Sequence, residues 1–207
     1  MLNILNTEYI VFDVETTGLS VVEGDRIIEL AALRIRGGQT VDSIISLINP
    51  GRPIPLSAQE INKITEDMVA DAPRPEEILP QMISFSANAC LVAHTASFDI
   101  KFLSYQLALM GRKLYDATPV VDTMKMAREL LPYLSSYRLE SVANSLGVRV
   151  GNTHRAQADA ELTAMAFNRL LAMASDRGVK DLKDLVARFG VEKPAFKMSA
   201  AAQGFLF

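Results

Sequence analysis

The sequence predicts an α/β domain, one mixed five-stranded sheet flanked by helices. Residues 9–48 carry three runs rich in apolar and β-branched side chains, punctuated by turn residues, as in an antiparallel meander. Beyond residue 90, short apolar runs each feed a helical period, as in parallel strand–helix units. Acidic residues stand where these strands stop and helices start, the places where such sheets gather their sites.

The first run, Tyr9-Ile10-Val11-Phe12-Asp13-Val14-Glu15-Thr16-Thr17-Gly18, is a strand that ends on two carboxylates and then breaks into a turn. Side chains at i and i+2 leave the same face of a strand, so Asp13 and Glu15 point one way and Val14 the other. Residues 18–24 form a loop, 26–35 the second strand, Gly37-Gly38 a hairpin turn and 41–48 the third strand. Asn49-Pro50-Gly51, Pro53 and Pro55 close the meander. Ser57-Ala58-Gln59-Glu60 has capping-box spacing, so a short helix is expected to start there. A second is expected near Pro75, with Pro80 as a kink.

Cys90-Leu91-Val92-Ala93 is a short buried strand ending at His94. Ile100, Phe102, Leu103, Leu107 and Met110 then follow a helical period, with Asp99 in the first turn. Val120-Val121 is a further strand before Asp122, and helices are expected over residues 123–131 and 138–146, the latter stopped by Gly147. Residues 157–174 make the longest helix, its apolar face running through Leu162, Met165, Ala166, Leu170 and Met173. One more amphipathic helix is expected over 180–189, with Gly190 as its stop.

A chain of 207 residues, 49% of them hydrophobic, is long enough for one well-buried domain. We expect it over 1–175, with 176–207 as a helix and tail. A net charge of −3 excludes coating of nucleic acid by bulk charge, so any such contact is local. The single cysteine, Cys90, cannot close an internal disulfide and lies in an apolar run, which fits a reducing compartment. No basic leader opens the chain, and no apolar stretch reaches the roughly 20 residues of a membrane span. A cytoplasmic protein without a membrane partner is expected.

Two adjacent carboxylates repel unless something positive sits between them. Oxygen-only ligands suit Mg²⁺ or Mn²⁺. A bare Asp-x-Glu is more often a solvated strand end, and a lone Asp in a first helical turn usually serves the dipole. Asp13, Glu15, Asp99 and Asp159, however, occupy three strand or helix ends, with His154 in the loop before the longest helix. Four negative charges in one cleft would be strongly destabilising without about two divalent ions.

Phe12-Asp13-Val14-Glu15-Thr16-Thr17-Gly18, His94-Thr95-Ala96-Ser97-Phe98-Asp99 and His154-Arg155-Ala156-Gln157-Ala158-Asp159 resemble, in order and spacing, the three motifs of the DEDD superfamily of 3′-5′ exonucleases. The histidine of the third motif places the resemblance in the DEDDh, DnaQ-like branch. It is similar to the proofreading epsilon subunit of DNA polymerase III and its stand-alone relatives. Val121-Asp122-Thr123 and residues 138–147 extend the resemblance, which covers residues 9–174. Two positions depart from the family: Thr95 where Asn is common, and Asn62-Lys63 where a His-Gly pair is common.

The resemblance implies a ribonuclease H-like fold and a metal-dependent exonuclease that works from 3′ ends. Asp13, Glu15, Asp99 and Asp159 would hold two Mg²⁺ or Mn²⁺ ions about 4 Å apart. His154, with a reference pKa of about 6.5, would take the proton of the attacking water. The main chain around Glu15 and Thr16 would bind the terminal 3′-OH. Leu19 and Phe102 are candidates for stacking on the last bases, core packing being the alternative for both. Single-stranded DNA in proofreading or repair is the expected substrate; RNA trimming, or a non-catalytic module that holds 3′ ends or a polymerase, are the alternatives. The last residues, Gln203-Gly204-Phe205-Leu206-Phe207, resemble short peptides that dock on the bacterial sliding clamp, making Gln203, Leu206 and Phe207 candidate partner contacts.

Overall fold

A computed structural model describes residues 4–151 and 154–196 of the chain. After a 3₁₀ turn at Ile4–Asn6, strands β1 (Tyr9–Thr16), β2 (Ile27–Arg36) and β3 (Gln39–Leu47) form the expected antiparallel meander. Strands β4 (Cys90–Ala93) and β5 (Val120–Asp122) add in parallel on the other side of β1. The order is β3-β2-β1-β4-β5, a mixed five-stranded sheet.

Helices α1 (Leu56–Asn62), α2 (Glu66–Val69), α3 (Pro75–Ile78) and α4 (Gln81–Phe85) fill the connection between β3 and β4. Then come α5 (Ala96–Leu109), α6 (Thr123–Leu130), α7 (Leu139–Ser145), α8 (Ala156–Asp176) and α9 (Leu182–Phe189). Among the described residues no helix is long and apolar enough to cross a membrane.

The period-two pattern of β1 divides the core into two layers. Tyr9 and Val11 enter the cluster that includes Phe167, Leu170 and Ala174 of α8 and Met126 and Leu130 of α6. Ile10, Phe12 and Val14 enter the opposite cluster, with Ile100, Phe102 and Leu103 of α5. Asp13 and Glu15 therefore continue the series that faces α8. Parallel pairing of β1 with β4 ends at Val11 and Val92, so the two strands part beyond that point. A strand with an antiparallel neighbour on one side and a parallel one on the other opens a crevice at its C-terminal end.

Several local expectations shift. The first short helix begins at Leu56 with Pro55 before it, so Ser57 lies inside the first turn and caps nothing. The reciprocal Glu bond sits instead at α3, where Arg74 N–H donates to Glu77 Oε2 at 2.7 Å. Pro80 does not kink a helix; it separates α3 from α4 and precedes the first residue of the latter, where its missing N–H costs nothing. Met165 is 46% exposed rather than core, because the sheet and α6 and α7 cover α8 on two sides and leave Glu161, Met165 and Arg169 to solvent.

Leu185 and Phe189 of α9 join the same buried cluster as Tyr9 and Phe167, although they lie beyond residue 175. Gly190 ends α9 in extended backbone (φ −67°), not in a left-handed turn. Its requirement for glycine is close approach: a Cβ there would lie 2.4 Å from the Val186 carbonyl oxygen.

Candidate active site

Asp13, Glu15 and Asp159 each offer a carboxylate oxygen, and these atoms lie within 4.8 Å of one another. The first two come from the C-terminal end of β1, the third from the first turn of α8. Asp159 Oδ2 accepts the His154 main-chain N–H at 3.0 Å, while its Oδ1 is buried with no hydrogen-bond partner among the described residues. Asp99 enters from the first turn of α5 on the other layer. It is nearly fully buried, and its Oδ1 accepts the Val14 N–H at 3.2 Å, a donor left free where β1 and β4 part.

The electrostatics follow from this crowding. Burial, then the charges of Asp99, Glu15 and Asp159, push the Asp13 carboxyl well above the usual carboxylate range. Burial, then Asp159 and Glu29, carry Glu15 from 4.5 to about 7, against the opposing pull of the Arg155 guanidinium. Burial also raises Asp99 and Asp159, the latter held back by the His154 N–H. An orphaned buried oxygen, an all-oxygen donor set and acids that resist ionising side by side fit a site for a hard divalent cation.

The loop after β1 is built around Asp25. Its carboxylate accepts from Thr17 Oγ1 (2.9 Å), Ser20 N–H (3.0 Å) and Arg52 Nη1 (3.3 Å). Gly18 passes so close that a Cβ would sit 2.3 Å from Asp25 Oδ2. This anchorage presents Leu19, 79% exposed, beside the crevice. Thr16 is buried beneath it, and the Asn62 amide donates to the Thr16 carbonyl oxygen at 3.4 Å. Asn62 thus meets the first motif from the position where the sequence departs from the family it resembles, and Lys63 takes the left-handed backbone (φ 60°) suited to the glycine common there.

The second motif turns through Thr95, also left-handed (φ 65°), with its N–H donated to Asp122 Oδ1 at 3.2 Å. The His94 ring spans Thr123 Oγ1 and the Tyr137 carbonyl oxygen, both at 2.9 Å. A carbonyl only accepts, so Nε2 carries the proton, and burial pushes the ring's pKa down. His94 is a neutral tie between β4, α6 and the segment before α7. His154 has left-handed backbone (φ 67°) and an exposed side chain at the mouth of the cluster.

Of the expected site residues, Asp13, Glu15, Asp159 and Asp99 come together, and Thr16 and Leu19 line the same loop. Phe102 does not: it is fully buried against Phe98, ring centroids 4.9 Å apart, so the core-packing alternative holds and it presents no face to a base. Gln203, Leu206 and Phe207 lie outside the described residues. The sequence reading missed Glu29, Asp25 and Asp122 as organisers of the site. Glu29 and Asp25 are acids that local pattern does not distinguish from solvated ones; only Asp122 carried a signal, one residue before a helix as its N-cap and within the Val121-Asp122-Thr123 stretch that extends the resemblance.

The family model of the RNase_T exonucleases matches residues 10–167. A DNA polymerase III of the PolC type from Clostridium perfringens is 39% identical over 183 residues, which is 88% of this chain and 12% of that protein. The chain thus spans about an eighth of that relative's length. Among solved structures, Exonuclease X in complex with 5′ overhanging duplex DNA is 29% identical with a TM-score of 0.64, over 81% of this chain and 93% of that one. The nuclease domain of 3′hExo, a DEDDh family member bound to rAMP, superposes with a TM-score of 0.70 at 19% identity, over 81% and 92% of the two chains. The expected ribonuclease H-like fold is therefore the one observed. With that match over residues 10–167, the chain belongs to the RNase_T exonuclease family.

Proposed function

We propose that this chain is a 3′-5′ exonuclease that releases nucleoside monophosphates from single-stranded DNA, in proofreading or repair. The observation that carries the reading is the convergence of one carboxylate oxygen each from Asp13, Glu15 and Asp159 within 4.8 Å, beside a buried Asp159 oxygen with no hydrogen-bond partner among the described residues. DNA is favoured over RNA because the 39% identical relative is a DNA polymerase.

Asp13, Glu15 and Asp159 would hold the first of two divalent cations, Mg²⁺ or Mn²⁺, with Asp13 shared and Asp99 helping to place the second. When bound, such ions supply positive charge to the scissile phosphate and lower the pKa of a coordinated water. The His154 imidazole, exposed at the mouth of the site, takes the proton of the attacking water. The Glu15–Thr16 main chain holds the terminal 3′-OH, steadied by Asn62 on the Thr16 carbonyl. Leu19 meets the face of the last base, a contact indifferent to its identity. We further propose a cytoplasmic setting, a catalytic unit over 1–175 carrying the 176–207 appendage, and a clamp contact through Gln203, Leu206 and Phe207.

The test uses 5′-labelled DNA and RNA oligonucleotides with Mg²⁺, with EDTA and with Asp13→Ala. A ladder shortening from the 3′ end only with Mg²⁺ and the unaltered protein is expected, faster on DNA. A faster RNA ladder would move the substrate to RNA; tight binding of 3′ ends without any ladder would leave a binding module.

A further inference from the structure

Glu29 is an acid within the cluster's field that holds no place in it. It stands directly opposite Glu15 in the β1–β2 register and is 3% exposed. Both of its oxygens are taken. Arg155 Nε reaches Oε2 at 3.0 Å and Oε1 at 3.2 Å, Arg155 Nη2 reaches Oε1 at 2.6 Å, and the Ala156 N–H donates to Oε2 at 2.8 Å. Arg155, the residue before α8, has no side-chain cap of its own. Glu29 supplies one from a strand 126 residues away and places negative charge at the helix N-terminus, where it is favourable.

We propose that the Glu29–Arg155 pair is a positioning device for the site, and the proposal rests on the exonuclease reading of that site. A fork of two parallel N–H bonds fixes direction as well as distance. It seizes the residue between His154, whose backbone is left-handed (φ 67°), and the first turn of α8 that carries Asp159. The same contacts occupy Glu29, so it does not join Asp13, Glu15 and Asp159 as a further ligand. Losing the fork frees the His154 segment, lets the start of α8 shift and leaves a bare carboxylate beside the acid cluster.

The test compares Arg155→Met and Glu29→Gln in the unaltered protein and in a His154→Ala background. Single-turnover cleavage of 5′-labelled single-stranded DNA at saturating Mn²⁺ gives the rate, electron paramagnetic resonance of free Mn²⁺ gives metal affinity, and thermal melting shows that each variant folds. Arg155→Met is expected to lower the rate on the order of 10²-fold, as misplacing a reacting group does, but only a few-fold where His154 is already absent. Mn²⁺ affinity is expected to fall about tenfold, as when a ligand loses its outer support. An equal rate loss in both backgrounds, or no loss, would overturn the proposal. If the unaltered protein cleaves no DNA, the functional reading fails. The Mn²⁺ measurement then decides by itself: weaker binding in Arg155→Met supports the device, unchanged binding refutes it.

Discussion

Raising the pH of the metal-free protein from 5 to 8 is expected to destabilise it, and divalent metal to offset part of the loss. Glu15 has a folded-state pKa raised from 4.5 to about 7. A group raised in the folded state contributes stability that is full below its unfolded pKa and is lost as pH climbs through the folded one. The window for Glu15 is therefore 4.5 to about 7. At about 1.4 kcal/mol per pH unit the displacement amounts to about 3 kcal/mol, an upper figure because the side chain is only partly buried. Asp13, Asp99 and Asp159 are displaced in the same direction, so their contributions carry the same sign. For a chain of this length, each kcal/mol moves the melting temperature by about 2–4 °C, giving a fall of about 6–12 °C. On the proposed reading, cations would bind the ionised acids and not the unfolded chain. At a hundredfold excess over the dissociation constant they restore about 2.7 kcal/mol. Melts in EDTA and in Mg²⁺ from pH 5 to 8, with Glu15→Gln as the charge-free control, measure this. A metal-free profile that rises with pH, or a Glu15→Gln profile as steep as the unaltered one, would refute the reasoning.

Gly18→Ala places a methyl 2.3 Å from Asp25 Oδ2; melting should show a loss of about 1–3 kcal/mol, and the rate on DNA should fall as the Leu19 loop is displaced. Thr95→Asn keeps the N–H donated to Asp122 but replaces a β-branched residue at φ 65° with one that tolerates that backbone. A gain of about 1 kcal/mol in denaturant unfolding with no loss of rate is expected, and a loss of stability would show that the Thr95 side chain has a role of its own. Deleting residues 203–207 should abolish co-elution with a sliding clamp and leave the rate on short oligonucleotides unchanged; retained co-elution would remove the clamp contact.

The sheet's halves, the long helices and the clustered acids were legible because they are carried by local periods. Alternation along β1 is enough to put Asp13 and Glu15 on one face. A helical period after residues 90–93 is enough to put Asp99 in a first turn. Motif spacing, through the family resemblance, joined these to Asp159 and His154. The short helices were less legible: Ser57 has the right spacing for a cap, yet Pro55, whose carbonyl accepts the first N–H bonds, sets the start of α1.

By itself the sequence determined which face of each element is apolar and which acids stand at element ends, since both depend on neighbours three or four positions away at most. Only the tertiary structure decided what those acids meet. Glu29 and Arg155 are 126 residues apart, and nothing near either names the other. Phe102 and Leu19 are both apolar beside the site, yet the depth of α5 buries one and the Asp25 loop exposes the other. Partners so distant in the chain are selected by packing of the whole domain, which buries the Glu29 carboxylate and so demands a cationic partner for it, whatever the local preference.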